Sequence, residues 1–159
     1  MPLLRLVSAR AIGQLMYLFT GHRDHKIDGK DRIVVPSAYA SAISTQGGGG
    51  VVLVPGVDGP FLEAYPGDVF AQMANGQIAN RFEGDLPRKR AFFQTAERVE
   101  LNGPGRITIP KRFLPLFPSR EIRVCGMNTY LELWDPKAWD RQVGGGVRDA
   151  GSAKVSPKG

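Results

Sequence analysis

Short apolar runs rich in Val, Ile and Leu recur along the chain between clusters of Gly, Pro, Asp and Asn. Runs of that length, bounded by turn residues, suit strands better than helices. They predict strands at residues 24–27, 33–35, 51–54, 61–65, 96–101, 107–109, 121–125 and 130–134. Small helices are expected at 37–44, where Ala38, Ala40, Ala42 and Ile43 gather, and at 68–79, where Val69, Phe70 and Met73 form one apolar face. Another is expected at 136–143 around Trp139, and a short one after Pro110 that Pro115 and Pro118 break early. The class is mainly β with short helices, α+β.

Two of these stretches are copies of one another. Residues 27–36 read Ile27-Asp28-Gly29-Lys30-Asp31-Arg32-Ile33-Val34-Val35-Pro36, and residues 101–110 read Leu101-Asn102-Gly103-Pro104-Gly105-Arg106-Ile107-Thr108-Ile109-Pro110. Arg106 follows Arg32, and Pro110 follows Pro36, by the same 74 residues. Asp or Asn before Gly is a strong turn signal, because its side-chain oxygen takes backbone N–H groups two residues on. The turn then needs a residue at positive φ, which Gly105 supplies freely and Asp31 tolerates. Each arginine falls where the loop becomes strand, in extended backbone near solvent. Pro36 and Pro110 suit the first position of a helix, where a missing N–H costs nothing. Later residues repeat too: Leu62-Glu63 matches Leu131-Glu132, Tyr65 matches Trp134 and Phe70 matches Trp139. These aromatics read as core anchors rather than ligand stackers.

The repeat divides the chain of 159 residues into two small units. Residues 1–15 form an N-terminal extension, with Met16 a candidate true start. The first unit covers 16–80, a linker 81–95 and the second unit 96–143; residues 144–159 read as a disordered basic tail. The glycines at 47–50 lack the Gly-Lys-Ser/Thr of a phosphate cradle and read as a connector. Units of this size bury little core alone, so pairing of the copies or oligomerisation is expected.

Net charge is +6 and the isoelectric point about 9.8, which favours an anionic partner such as nucleic acid. Arg88, Lys89 and Arg90 precede Ala91-Phe92-Phe93, a pattern that suits either a nucleic-acid patch or an element edge with solvated charges. The single cysteine, Cys125, excludes an internal disulfide and fits a reducing cytoplasm; its apolar run makes it a buried structural thiol. No apolar stretch is long enough to span a membrane. His22 and His25 flank Asp24, but nothing completes a metal site, and in a strand the two would face opposite ways. Asp28, Glu63 and Glu132 are scattered acids that form no working catalytic pair, so neither an enzyme nor a cofactor is expected.

The first motif, with its preceding residues, stands as Gly21-His22-Arg23-Asp24-His25-Lys26-Ile27-Asp28-Gly29-Lys30-Asp31-Arg32-Ile33-Val34-Val35-Pro36. With residues 102–110 and Tyr130-Leu131-Glu132-Leu133-Trp134, it resembles the MraZ family of bacterial transcriptional regulators over about residues 16–143. The resemblance implies two tandem AbrB-like swapped-hairpin units with a pseudo-two-fold, β-barrel-like core. It implies a cytoplasmic, nucleoid-associated protein that binds double-stranded DNA and forms a ring-like homo-oligomer. The implied targets are short G-containing direct repeats upstream of the cell-division and cell-wall gene cluster. Arg32 is the implied DNA contact and Arg106 its counterpart; Asp28 is read as orienting Arg32, and the charged side chains Lys26, Lys30, Arg88, Lys89 and Arg90 are candidate further contacts. Here Asp31 replaces the usual Gly, Asn102 the usual Asp, and Arg23 the usual Tyr.

The residues leave other readings open. Asp28 and Arg32 could form only a loop-closing ion pair, and the fold could serve an antitoxin-like or scaffolding interaction without specific DNA binding. A small hydrolase is the weakest rival. Because neither end carries the repeat pattern, a chain trimmed to residues 16–143 should keep its melting transition; a much lower midpoint or aggregation by scanning calorimetry would show that the ends dock on the core.

Overall fold

The computed structural model describes residues 17–46, 50–76 and 82–145. The expected N-terminal extension, the centre of the glycine connector, residues 77–81 and the tail from 146 onward lie outside the described residues. The elements run β1 (His22–Lys26), β2 (Arg32–Val34), α1 (Ser37–Gln46), β3 (Gly50–Pro55), β4 (Phe61–Pro66), α2 (Gly67–Ala74), α3 (Leu86–Gln94), β5 (Glu97–Glu100) and β6 (Arg106–Thr108). A 3-10 helix (Lys111–Leu116), β7 (Glu121–Met127), β8 (Tyr130–Trp134) and α4 (Pro136–Trp139) follow, and α4 runs into a π-helical turn, Asp140–Gly144. The chain is thus mainly β with short helices, as its pattern implies.

Six strands form one antiparallel sheet in the order β1-β7-β8-β4-β3-β5, and β2 pairs with β6 in a separate two-stranded ribbon. The expected barrel-like closure does not occur. The sheet stays open, with β1 and β5 at its two edges, and the three-residue strands of the ribbon pair only with each other among the described residues. The ribbon turns its apolar face rather than a strand edge to the sheet, so no ladder runs between them. Instead the ribbon is joined by side chains: Ile33, Val35, Ile107 and Ile109 are buried in one core with Leu53, Leu62, Ile122, Val124, Leu131 and Leu133 from the sheet.

The repeat appears as a pseudo-two-fold axis. In the ribbon Ile33 lies opposite Ile107, and in the sheet Glu63 lies opposite Glu132. The matched aromatics keep the same partners: the Tyr65 hydroxyl donates to Glu63 Oε1 at 3.0 Å, and Trp134 Nε1 donates to Glu132 Oε1 at 2.9 Å. Tyr65 and Trp134 are both buried, the core anchors their spacing suggests. Cys125 is buried too, and desolvation pushes its thiol up to about 12, so it stays protonated and unreactive.

Several boundaries differ from expectation. Pro36 and Pro110 stand one place earlier, as the residue before the helix. The Pro36 carbonyl accepts from Tyr39 N and Ala40 N, both at 2.9 Å, and Pro110 keeps an extended ψ of 141°. The helix expected over 68–79 stops at Ala74, where Asn75 N bonds to Ala71 O and Gly76 turns to φ 73°. The stretch read as a linker carries α3, opened by Asp85, whose carboxylate accepts from Arg88 N, and by a proline in its first turn. Its Phe92 is buried, with ring centroids of Tyr65, Phe70 and Phe82 at 5.7, 5.6 and 5.2 Å. Truncating a buried phenylalanine of this kind costs about 3–5 kcal/mol. Phe92→Ala should therefore lower the urea midpoint sharply, whereas a change within about 0.5 kcal/mol would mean that α3 is a loosely held connector.

Candidate nucleic-acid interface

Both loops close in the same way. Asp28 N donates to Arg32 O at 2.9 Å and Asp31 N to Asp28 O at 3.0 Å; Asn102 N donates to Arg106 O at 2.8 Å and Gly105 N to Asn102 O at 3.1 Å. The residues expected at positive φ are found there, Asp31 at 62° and Gly105 at 97°. Each of those residues then offers its carbonyl to the other copy. Val35 N donates to Gly105 O at 2.8 Å, and Ile109 N donates to Asp31 O at 2.7 Å. Glycine is needed at 105 on two counts: the φ, and a β-carbon there would lie 3.0 Å from Ala40 Cβ on α1.

The ribbon sets the outward face. Arg32 pairs with Thr108, Ile33 with Ile107, and Val34 with Arg106. Since successive side chains alternate between faces, the buried isoleucines place Arg32, Val34, Arg106 and Thr108 together on the outer side. Val34 and Thr108 are exposed and both arginines partly so. The arginines sit diagonally across the ribbon, a relation that puts residues about 7–8 Å apart, with their β-carbons somewhat closer.

The two arginines are held differently. One oxygen of the Asp28 carboxylate accepts from Lys30 N and Arg32 N, each at 2.9 Å, and the other takes Arg32 Nε at 2.9 Å. The side-chain turn that Asp-Gly signals is present, and the same carboxylate orients the guanidinium. Arg106 N instead bonds to the Asn102 main-chain oxygen at 2.8 Å. Among the described residues the Arg106 guanidinium has no hydrogen-bond or ion-pair partner.

Other candidates are spread out. Lys30 is exposed in the first loop and Lys26 is exposed at the end of β1. Arg88, Lys89 and Arg90 lie on α3, which packs on β3 rather than forming part of the ribbon. Arg88 is paired with Asp85 at 3.5 Å and Lys89 with Glu83 at 3.3 Å. His22 rests against Trp139, ring centroids 4.9 Å apart. Two arginines escape a sequence reading because their partners are remote. Arg123 binds both oxygens of Asp24 across the β1–β7 pair, at 2.7 and 3.0 Å, and reaches Asp140 at 3.1 Å. Arg120, at the turn before β7, donates from Nη1 to Asp31 Oδ1 at 3.0 Å and from Nη2 to the Asp28 carbonyl at 2.6 Å.

Comparison with known proteins follows the same line. A family model described as "MraZ protein, putative antitoxin-like" matches residues 92–145. A protein named transcriptional regulator MraZ from Mycoplasmoides gallisepticum is 33% identical over 127 residues, covering 78% of this chain and 86% of its own length. The chain belongs to the MraZ family. Relatives of the same name from Thermomicrobium roseum and Dehalococcoides mccartyi are 33% and 29% identical, each covering 79% of this chain and 87% of their own.

The Asp28 carboxyl is held below its usual range, first by the Arg32 backbone N–H and then by Lys30 N and the Arg32 side chain. A depressed carboxyl stabilises the fold above its unfolded value, about 3.9, and loses that contribution as pH falls through the folded value. Asp28→Asn should therefore melt with a shallower loss of stability below about pH 4 than the wild type. What remains of the acid slope then includes Asp24, which its hydrogen bonds from Arg123 hold low. Identical acid slopes for variant and wild type would show that Asp28 is not preferentially ionised in the fold.

Proposed function

We propose that this MraZ-family chain is a DNA-binding transcriptional regulator that presents the outer face of the β2–β6 ribbon to the major groove. The observation that carries the reading is the pair of half-exposed arginines, Arg32 and Arg106, on the outward side of a two-stranded antiparallel ribbon. The major groove admits such a ribbon, and an arginine there can donate two bonds to guanine O6 and N7. Asp28 holds the Arg32 fork in a fixed direction, so less freedom is lost on docking. Exposed Lys26 and Lys30 flank the ribbon for phosphate neutralisation, which makes affinity salt-dependent. Arg88, Lys89 and Arg90 on α3 would add phosphate contacts away from the ribbon, their exposed pairs with Asp85 and Glu83 being weak enough to exchange.

In this reading the chain works in the cytoplasm on the nucleoid, as a non-enzymatic, ring-like homo-oligomer. Its operators are short G-containing direct repeats upstream of the cell-division and cell-wall gene cluster. One ribbon of this size binds weakly, and several copies facing evenly spaced repeats gain by effective concentration. Exposed apolar residues such as Leu18, Val57 and Met127 offer surface for the contacts between copies. Light scattering at micromolar concentration should report an oligomer, and a stable monomer would remove the ring from the mechanism.

The deciding experiment measures binding to a duplex carrying the direct repeats and to a scrambled duplex over a salt series. Each bidentate base contact discriminates by about 1–3 kcal/mol, multiplied across copies. Arg32→Ala should abolish preference for the repeats with fold and oligomer intact, and Arg32→Lys should fail as well, since an ammonium lacks the planar fork. Arg106→Ala should weaken both duplexes more evenly and lower the salt slope. If Arg32→Ala keeps the preference, the Asp28–Arg32 pair is structural. If the wild type binds neither duplex, the antitoxin-like interaction module takes its place.

A further inference from the structure

We infer that Arg120 is a positioning residue for Arg32, acting through a clasp on Asp31 and on the Asp28 main chain. The inference rests on the reading of Arg32 as a DNA contact. Asp31 occupies a left-handed conformation, φ 62°, which a residue with a β-carbon adopts less readily than glycine. Its carboxylate would also crowd the outer end of the loop with unpaired negative charge beside a phosphate backbone. Arg120 answers both problems. Nη1 pairs with the Asp31 carboxylate at 3.0 Å, and Nη2 bonds to the Asp28 carbonyl at 2.6 Å. The backbone of Arg120 is itself pinned, its N donating to Phe117 O at 3.0 Å and its O accepting from Ile27 N at 2.8 Å.

The contacts form a continuous path. Arg120 fixes the main chain of Asp28; the Asp28 carboxylate fixes Arg32 N and Nε. A shift of the Asp28 backbone would therefore swing the guanidinium on the outward face. The second loop shows what the clasp replaces: Gly105 stands at the matching position, with no carboxylate to hold, and Arg106 is left without a charged partner among the described residues. Arg120 comes from the second repeat and Asp31 from the first, so the clasp also makes the geometry of one reading loop depend on the docking of the other repeat.

The test is a double-substitution cycle between Arg120→Ala and Asp31→Gly, with two readouts. The first is the ratio of affinities for duplexes that the wild type enriches from a randomised pool and for a scrambled duplex, over a salt series. The second is hydrogen exchange of the peptide covering residues 28–33 in the protein alone. Arg120→Ala should cut the affinity ratio by about tenfold, the size of one impaired bidentate base contact, with the salt slope unchanged and loop exchange faster. In the Asp31→Gly background, which removes the carboxylate and the strain and leaves only the bond to the Asp28 carbonyl, Arg120→Ala should cut the ratio by clearly less than it does with Asp31 in place. Should Arg120→Ala fail to fold, Arg120→Lys carries the same comparison, since it keeps the charge but not the two-acceptor fork. A lower salt slope with equal losses on both duplexes would make Arg120 a phosphate contact and overturn the proposal. So would an unchanged ratio with unchanged exchange. If the wild type enriches no sequence, the DNA reading fails, and faster loop exchange in Arg120→Ala still decides whether the clasp exists.

Discussion

The two hydrogen bonds from Val35 N to Gly105 O and from Ile109 N to Asp31 O carry more of this structure than their number suggests. Each joins the residue before a proline in one repeat to the positive-φ residue of the other. Buried backbone groups must be paired, and in these short strands neither repeat can satisfy its own. The ribbon therefore forms only when both copies are present and exchanged. That requirement places Ile33 against Ile107, turns the flanking arginines outward, and leaves the proline ends free to start helices over the core. The same constraint accounts for the size of the protein: two units that bury little apart share one cluster when interlocked.

The local physics of the loops was legible in the residues. Asp-Gly and Asn-Gly announced the turns, and the need for positive φ pointed to Asp31 and Gly105, where the backbone reads 62° and 97°. The repeat itself was legible, and the pseudo-axis that the family resemblance implies passes between a residue and its repeat partner at Ile33–Ile107 and at Glu63–Glu132. What stayed hidden has a common cause. Arg120, Arg123 and Asp24 act through partners 89 to 99 residues away, and nothing local marks an arginine that will meet a remote acid. Helix α3 was obscured by its composition: Pro87, Arg88, Lys89 and Arg90 look like a solvated connector, and only Phe92 shows which side is buried. The open sheet likewise depends on which edges meet, which is a property of the assembled strands.

The pseudo-axis is broken at the two arginines of the proposed reading face. A ribbon with two identical ends presents the same face after half a turn, and such a reader suits a palindrome. Here one end carries an arginine aligned by a carboxylate and braced from the other repeat, while the opposite end carries an arginine beside a neutral Asn102 and a glycine. The first guanidinium has a set direction; the second has no partner among the described residues to fix it. A ribbon with one rigid and one adaptable arm has a head and a tail. Stepped around the proposed ring in one sense, such units would track sites that all point the same way, and in that proposal the substitutions at 31 and 102 would give the reading face its direction.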